Sequence, residues 1–241
     1  MATDNTTNAS QPPAKNARLI DSDALMIAVG VIGIALPFVL ALGTGILRWW
    51  NPESAGFAFS ISGYYYTGMR NVLVGSLCAI GVFLGAYCGY ENKDRIAGNF
   101  ACVFAIGVAL FPTSPDPNYT DLRRFIGSAH YFFAASLFST LAYFCLALFT
   151  MTHPTGRPDL EEPMTPEKKK ENAMYKASGW TIIFCIILIA LFEGLFLNDW
   201  SPMKSDFVKA FYPVYWLEAI AVVSFGVSWL TKSKAVFGEN K

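Results

Sequence analysis

Six long apolar stretches constrain what this chain can fold into. They span residues 25–47, 71–90, 98–111, 125–152, 179–197 and 212–230. A helix needs about 20 mostly apolar residues to cross a bilayer core about 30 Å thick. The apolar residues are continuous rather than alternating, which disfavours membrane strands. The sequence therefore predicts an all-α, polytopic membrane protein with a bundle of six transmembrane helices.

The composition supports a membrane protein and argues against other classes of partner. Charged residues make up 15% of the chain, against about 25% in an average soluble domain. The formal net charge is zero, so no basic field or stripe points to nucleic acid. The five cysteines lie in apolar stretches without C-x-x-C spacing, which favours packing roles. We therefore expect membrane lipids as partners, and no nucleic acid, metal or cofactor.

The segments outside the apolar stretches divide the chain into a membrane domain and two tails. Residues 1–23 are polar and lack a signal-peptide pattern, so we expect a disordered cytoplasmic tail. The transmembrane domain then covers residues 24–232, and residues 233–241 form a second cytoplasmic tail. Residues 153–178 are rich in proline and charge, which predicts a solvated cytoplasmic loop.

Lysine and arginine in the connecting segments orient the predicted helices. Twelve of the 18 fall in the N-terminal tail, in the loops after the second and fourth apolar stretches, and after the sixth stretch. Cytoplasmic loops of membrane proteins carry an excess of these residues. Both termini are therefore predicted inside (N-in/C-in), with the loops at 48–70, 112–125 and 198–211 outside. We expect an integral protein of the plasma membrane.

Three glycines at four-residue spacing mark one face of the second predicted helix. Gly81, Gly85 and Gly89 share that face, and small residues let the backbone of another helix approach closely. The partner helix is predicted to belong either to the same chain or to a second copy. A homo-oligomer through these glycines is therefore one expectation.

Polar side chains are concentrated in the outer third of the predicted bundle. A charged group in the hydrocarbon costs at least ~2.5–3.5 kcal/mol on insertion scales, so each one needs a partner or a function. One hypothesis is a single pocket that opens outward, in which Arg70 pairs with a glutamate and His130 lies among carboxylates. The alternative is that these groups stabilise the bundle separately or reach the headgroups. The candidate ligand-binding residues are Arg70, Asn71, Asp116, His130, Glu193, Glu218 and Tyr66.

Three short motifs resemble a known family. They are Ser-Gly-Tyr-Tyr-Tyr-Thr-Gly-Met-Arg-Asn at 62–71, Phe-Pro-Thr at 111–113 and Gly-Ser-Ala-His at 127–130. Their order resembles a bacterial family of six-helix membrane proteins of unknown function, which is distantly similar to the Frag/DRAM/Sfk group of eukaryotic membrane proteins. The resemblance implies that Arg70, the Phe-Pro-Thr turn and His130 match the family's motif. It also implies a lipid-related role, because the eukaryotic relatives are linked to lipid and membrane homeostasis.

The favoured function is binding of an amphiphile, such as a lipid headgroup, in the outer pocket. Arg70, Arg123 and Arg124 are suited to phosphate, and the nearby tyrosines can supply apolar walls that also form hydrogen bonds. In this hypothesis the protein is a binding, regulatory or scaffold protein rather than an enzyme.

An intramembrane hydrolase acting on a lipid or acylated substrate is the first alternative. His130 would be the general base, oriented by Asp116 or Glu218. No G-x-S-x-G motif is present, and a zinc version would need three histidines where the predicted membrane part has one. The candidate nucleophiles are Ser60, Ser62 and Ser128.

A proton-coupled transporter is the second alternative, because membrane-embedded His and Glu suit a proton relay. The predicted cytoplasmic halves of the helices carry almost no buried charge, which argues against a complete path. Haem ligation by paired histidines is disfavoured because His130 has no second histidine in the membrane. A retinal Schiff base is disfavoured because none of the predicted helices contains a lysine.

Overall fold

The computed structural model describes residues 22–89, 91–113, 121–151, 165–192 and 211–234, without the side chains of residues 123 and 124. Every regular element in these ranges is helical, which confirms the all-α prediction. The elements in chain order are α1 (Ser22–Trp50), a 3-10 turn (Ser62–Tyr66), α2 (Arg70–Ala86), α3 (Asn92–Leu110), α4 (Asp121–Tyr143), α5 (Pro166–Leu191) and α6 (Pro213–Lys232).

Four of the described helices are long and apolar enough to cross a membrane, which supports an integral membrane protein. They are α1, α5, α6 and the part of α4 that continues from Phe125 through a π-helical turn to Leu148. The helix α2 is apolar but has only 17 residues. The first turn of α3 carries Lys93, Asp94 and Arg95, which shortens its apolar part.

Two helices begin well before their predicted starts at residues 98 and 179, because polar capping groups nucleate them. A reciprocal capping box starts α3: the Glu91 side chain accepts from the backbone of Asp94, and the Glu91 N–H donates to the Asp94 carboxylate at 2.9 Å. The Thr165 side chain caps α5 by accepting from the Lys168 N–H at 3.2 Å. The part of the predicted loop that follows Thr165 is therefore helical.

Glycines let α1 and α6 approach with their backbones almost in contact. A Cβ placed on Gly226 would lie 2.7 Å from the Gly30 carbonyl oxygen. A Cβ placed on Gly30 would likewise lie 2.9 Å from the Gly226 carbonyl oxygen. Backbones this close pack well without a hydrophobic driving force, which lipid does not provide between helices. The hydroxyl of Tyr215 adds a bond of 2.8 Å to the Pro37 carbonyl of α1.

The glycine face of α2 packs against α3 of the same chain. Cβ atoms on Gly81 and Gly85 would lie 3.2 and 3.1 Å from the Cβ atoms of Ala105 and Cys102. Gly89 lies beyond the end of α2, where it adopts a φ of 56°. The contact that the first two glycines make is therefore intramolecular. A homo-oligomer remains a prediction that this face does not support.

An aromatic cluster fills the bundle at the end where α2, α4 and α6 finish. The fully buried Trp229 packs edge-on against Tyr87, Phe144, Phe149 and Phe225, with ring centroids 5.0, 5.6, 5.3 and 5.7 Å away. Such arrangements contribute about 0.5–1.5 kcal/mol per pair beyond the area they bury. This end of the bundle is therefore stabilised by large, closely packed aromatic side chains.

The glycine contact between α1 and α6 can be tested with Gly30→Ala. We expect the variant to lose about 1–3 kcal/mol of unfolding free energy, because the new methyl group overlaps Leu230 and the Gly226 carbonyl. Thermal unfolding of the purified protein in detergent measures this loss.

Gly45→Ala is the matched control on the same helix, because a Cβ at Gly45 would meet nothing within 4 Å. It should leave stability unchanged or raise it by up to about 1 kcal/mol through helix propensity. Equal effects of the two substitutions would contradict the close approach.

Candidate functional site

The connection between α1 and α2 folds across one end of the bundle. We call its residues 57–66 the capping segment and this end the capped end. Phe57 packs against Tyr212 and Tyr215 of the α6 region, with ring centroids 4.9 and 4.5 Å away. Tyr64 is fully buried, and this burial raises the pKa of its phenol, so the side chain stays neutral. The capping segment is therefore part of the packed interior.

Glu218 of α6 holds the backbone of the capping segment. The Ile61 N–H donates to the Glu218 carboxyl, and the Tyr215 N–H donates to the Phe59 carbonyl at 3.0 Å. An unpaired backbone N–H in a buried position costs about 1–3 kcal/mol. These two bonds therefore fix the segment against the first turns of α6.

His130 of α4 holds the capping segment from a second direction. Its Nδ1 lies 2.6 Å from the Phe111 carbonyl oxygen, and its Nε2 lies 3.1 Å from the Ser62 Oγ. A carbonyl can only accept, so Nδ1 carries the proton and donates. In the neutral ring Nε2 is then an acceptor, and the Ser62 hydroxyl donates to it. The buried imidazole thus joins the end of α3 to the start of the 3-10 turn.

A cavity of about 60 Å³ lies beneath the capping segment, between α1, α2, α3, α4 and α6. This is several times the roughly 10–15 Å³ that one water requires. Leu73, Leu137 and Val222 are among the apolar side chains that form its walls, and Ser62 and Glu218 lie at its capped end. The cavity surface is therefore almost wholly apolar, and Ser62 and Glu218 are the polar residues at its capped end.

The cavity reaches from the capped end towards the middle of the bundle. Glu218 and Phe225 both line it and are seven residues apart on α6, or about 10 Å along the helix axis. This length matches a short stretch of alkyl chain rather than a compact polar ligand. The arrangement can hold the apolar part of a molecule, with Ser62 and Glu218 near the end where its polar part would lie.

The structure brings two of the predicted site residues together. His130 and Glu218 come from different helices and bind the adjacent residues Ser62 and Ile61. The orienting group on the His130 ring is the Phe111 carbonyl, where the sequence pointed to Asp116 or Glu218. Asp116 lies outside the described residues.

The other predicted site residues have separate positions. The Arg70 guanidinium lies 4.0 Å from the Tyr65 ring centroid and donates to the Tyr65 hydroxyl, where the sequence predicted a glutamate. Asn71 is exposed, and the Tyr66 hydroxyl donates to the Thr113 carbonyl. Glu193 lies outside the described residues.

The two other candidate serines differ from Ser62 in their surroundings. The Ser60 hydroxyl accepts from the Gly63 N–H at 3.0 Å, which is a local turn contact. Ser128 is exposed on α4. Of the three, Ser62 is the one that lines the cavity and contacts His130.

A group of polar side chains at the opposite end of the bundle was missed from the sequence. Asp94 is only 1% exposed, although the sequence predicted almost no buried charge there. Lys168 lies 3.3 Å from Glu171, and the Lys232 Nζ lies 5.6 Å from the Phe149 ring centroid. The signal that could have found Asp94 is its spacing of three residues from Glu91, which is that of a capping box.

Comparison with protein-family models, curated proteins and solved structures finds no match to this chain. The resemblance in the three short motifs therefore remains a prediction.

The contact between Glu218 and the capping segment can be tested by removing its acceptor oxygens. We expect Glu218→Ala to lower the free energy of unfolding by about 1–3 kcal/mol, because the Ile61 N–H is left without its carboxyl partner. Glu218→Gln retains a side-chain oxygen at the same position, so its free energy of unfolding should fall clearly less than that of Glu218→Ala. Thermal unfolding of both variants in the same detergent measures the difference, and equal losses would contradict the role assigned to this bond.

Proposed function

We propose that this protein is an integral membrane protein that binds an amphiphile, with the apolar part in the cavity and the polar part at Ser62 and Glu218. The observation that carries the proposal is the cavity itself, which has an almost wholly apolar surface and ends at Ser62 and Glu218. Ligand sites are typically concave and mostly apolar, with a few placed polar groups that fix orientation. A membrane lipid or fatty acyl compound has the matching division into two parts.

The proposal includes six membrane crossings with both termini in the cytoplasm. In this topology α2 and α3 cross together with the four longer helices, and the capped end faces outward. The excess of lysine and arginine in the tails and near the starts of α3 and α5 supports this orientation. The amphiphile then enters from the outer side of a bacterial inner membrane.

The size of the cavity limits what it holds in the present arrangement. A volume of about 60 Å³ is smaller than the engineered cavity of about 150 Å³ that binds benzene. A few carbons of a chain therefore fit without rearrangement, and a longer chain requires the capping segment or a neighbouring helix to move. The exposed Arg70 and Tyr66 lie at or beside the capping segment and are suited to contact a headgroup.

Proton-coupled transport has less support from the cavity. Beyond Glu218 its walls are formed by side chains such as Leu141, Val222 and Phe225. A proton relay needs polar groups within hydrogen-bond reach of one another, and these side chains cannot relay protons. The polar groups at the two ends of the bundle are therefore separated by an apolar stretch.

Cavity binding can be tested by filling the cavity. We expect Ala134→Phe to abolish capture of a diazirine-labelled fatty acid at cavity residues, because Ala134 lines the cavity and the new ring occupies it. Peptide mass mapping after irradiation in detergent micelles measures capture at residues 134–141 and 218–225.

Ala135→Phe is the matched control, because Ala135 is the next residue on α4 and is exposed. Capture in this variant should equal that of the wild type. Labelling confined to exposed side chains in all three proteins would contradict cavity binding.

A further inference from the structure

We propose that Ser62 and His130 form a nucleophile–base pair that hydrolyses an acyl ester whose chain lies in the cavity. This inference rests on the proposed function, because the cavity supplies the binding site for the chain. It adds a reaction, the residues that carry it and a class of substrate.

The groups of the pair are ordered as acyl transfer requires. Ser62 lines the cavity, His130 contacts Ser62, and the Phe111 carbonyl contacts His130 from the other side. The distance from Ser62 Oγ to Nε2 is 3.1 Å, within the range for a nucleophile and its base. Because the carbonyl holds the proton on Nδ1, the Ser62 hydroxyl donates to Nε2, which is the direction that activates a serine.

Three elements position the pair independently. The 3-10 turn carries Ser62, and the Glu218 bond to the preceding peptide fixes where that turn begins. His130 comes from α4, and the Phe111 carbonyl comes from the residue that ends α3. A catalytic group held by packing and hydrogen bonds on separate elements keeps its geometry with little reorganisation.

The reaction balances with water as the only co-reactant. Ser62 Oγ attacks the ester carbonyl carbon while its proton passes to Nε2, and the tetrahedral intermediate expels the alcohol, which takes that proton. Water then attacks the acyl-serine ester and gives a proton to Nε2. Collapse releases the carboxylic acid and returns the proton to Ser62 Oγ. One ester and one water yield one acid and one alcohol.

The cavity points to the substrate class. Its walls offer apolar side chains over about 10 Å from Glu218 to Phe225, so an acyl chain fits there with the ester carbonyl beside Ser62. The orienting group is a carbonyl rather than a carboxylate, and it stabilises the imidazolium less. We therefore expect a slow hydrolase.

The direct test is labelling with an alkyl fluorophosphonate of the full-length protein in detergent micelles. We expect one covalent adduct, located on Ser62 by peptide mass mapping, and no adduct in Ser62→Ala. Ser128→Ala is the matched serine control, because Ser128 is exposed on α4, and it should label as the wild type does. His130→Gln should slow labelling by about 100-fold or more, which is the lower range for loss of a general base.

Thermal unfolding of each variant separates loss of reactivity from loss of fold. A Ser62→Ala protein that unfolds within a few degrees of wild type and does not label supports the nucleophile. A wild-type protein that is folded and carries no adduct on Ser62 overturns the inference, and so does labelling that is unchanged in His130→Gln.

The two proposals fail in different ways. Capture of the diazirine fatty acid in the cavity without a fluorophosphonate adduct on Ser62 overturns the hydrolase and leaves cavity binding in place. Absence of cavity capture in a folded protein removes the proposed function and, with it, the substrate site of the hydrolase.

Discussion

The contacts that Glu218 and the buried His130 make with the capping segment are the constraint on which the rest of the site depends. In a membrane the backbone must satisfy its polar groups within the protein, so non-helical chain is tolerated only where partners exist. Glu218 supplies an acceptor for the Ile61 N–H, and His130 joins Ser62 to the Phe111 carbonyl. Without these partners the segment could not lie against the helices, and the cavity beneath it would be open to solvent.

The helix packing explains why a cavity remains in an otherwise dense bundle. Glycines bring α1 to α6 and α2 to α3 at nearly the closest distance that backbones permit. The aromatic cluster around Trp229 fills the opposite end. At the capped end, the capping segment lies across the ends of helices that pack against one another below it. The unfilled volume therefore lies between the capping segment and the apolar sides of the helices, with Ser62 and Glu218 at its capped end.

The sequence predicted the helical architecture and part of the site, for physical reasons. Long apolar runs specify membrane helices, and the cost of burying polar groups marked His130 and Glu218 as residues that need partners. Ser62, which contacts His130, was among the predicted serines, but the other two partners could not be predicted because they are a backbone N–H and a backbone carbonyl. The early start of α5 was missed because its first turns are rich in charge. Buried Asp94 was missed because a capping box was read as part of a loop.

Hydrogen–deuterium exchange of the Ile61 amide tests the central claim most directly, because this amide donates to Glu218 beneath the capping segment. In the full-length protein in detergent, we expect it to exchange at least about 100-fold more slowly than the amide of the exposed Ala55. This ratio corresponds to about 2.7 kcal/mol of additional opening free energy. Exchange of Ile61 at the rate of Ala55 would show that the capping segment is not held against the bundle and would contradict the account.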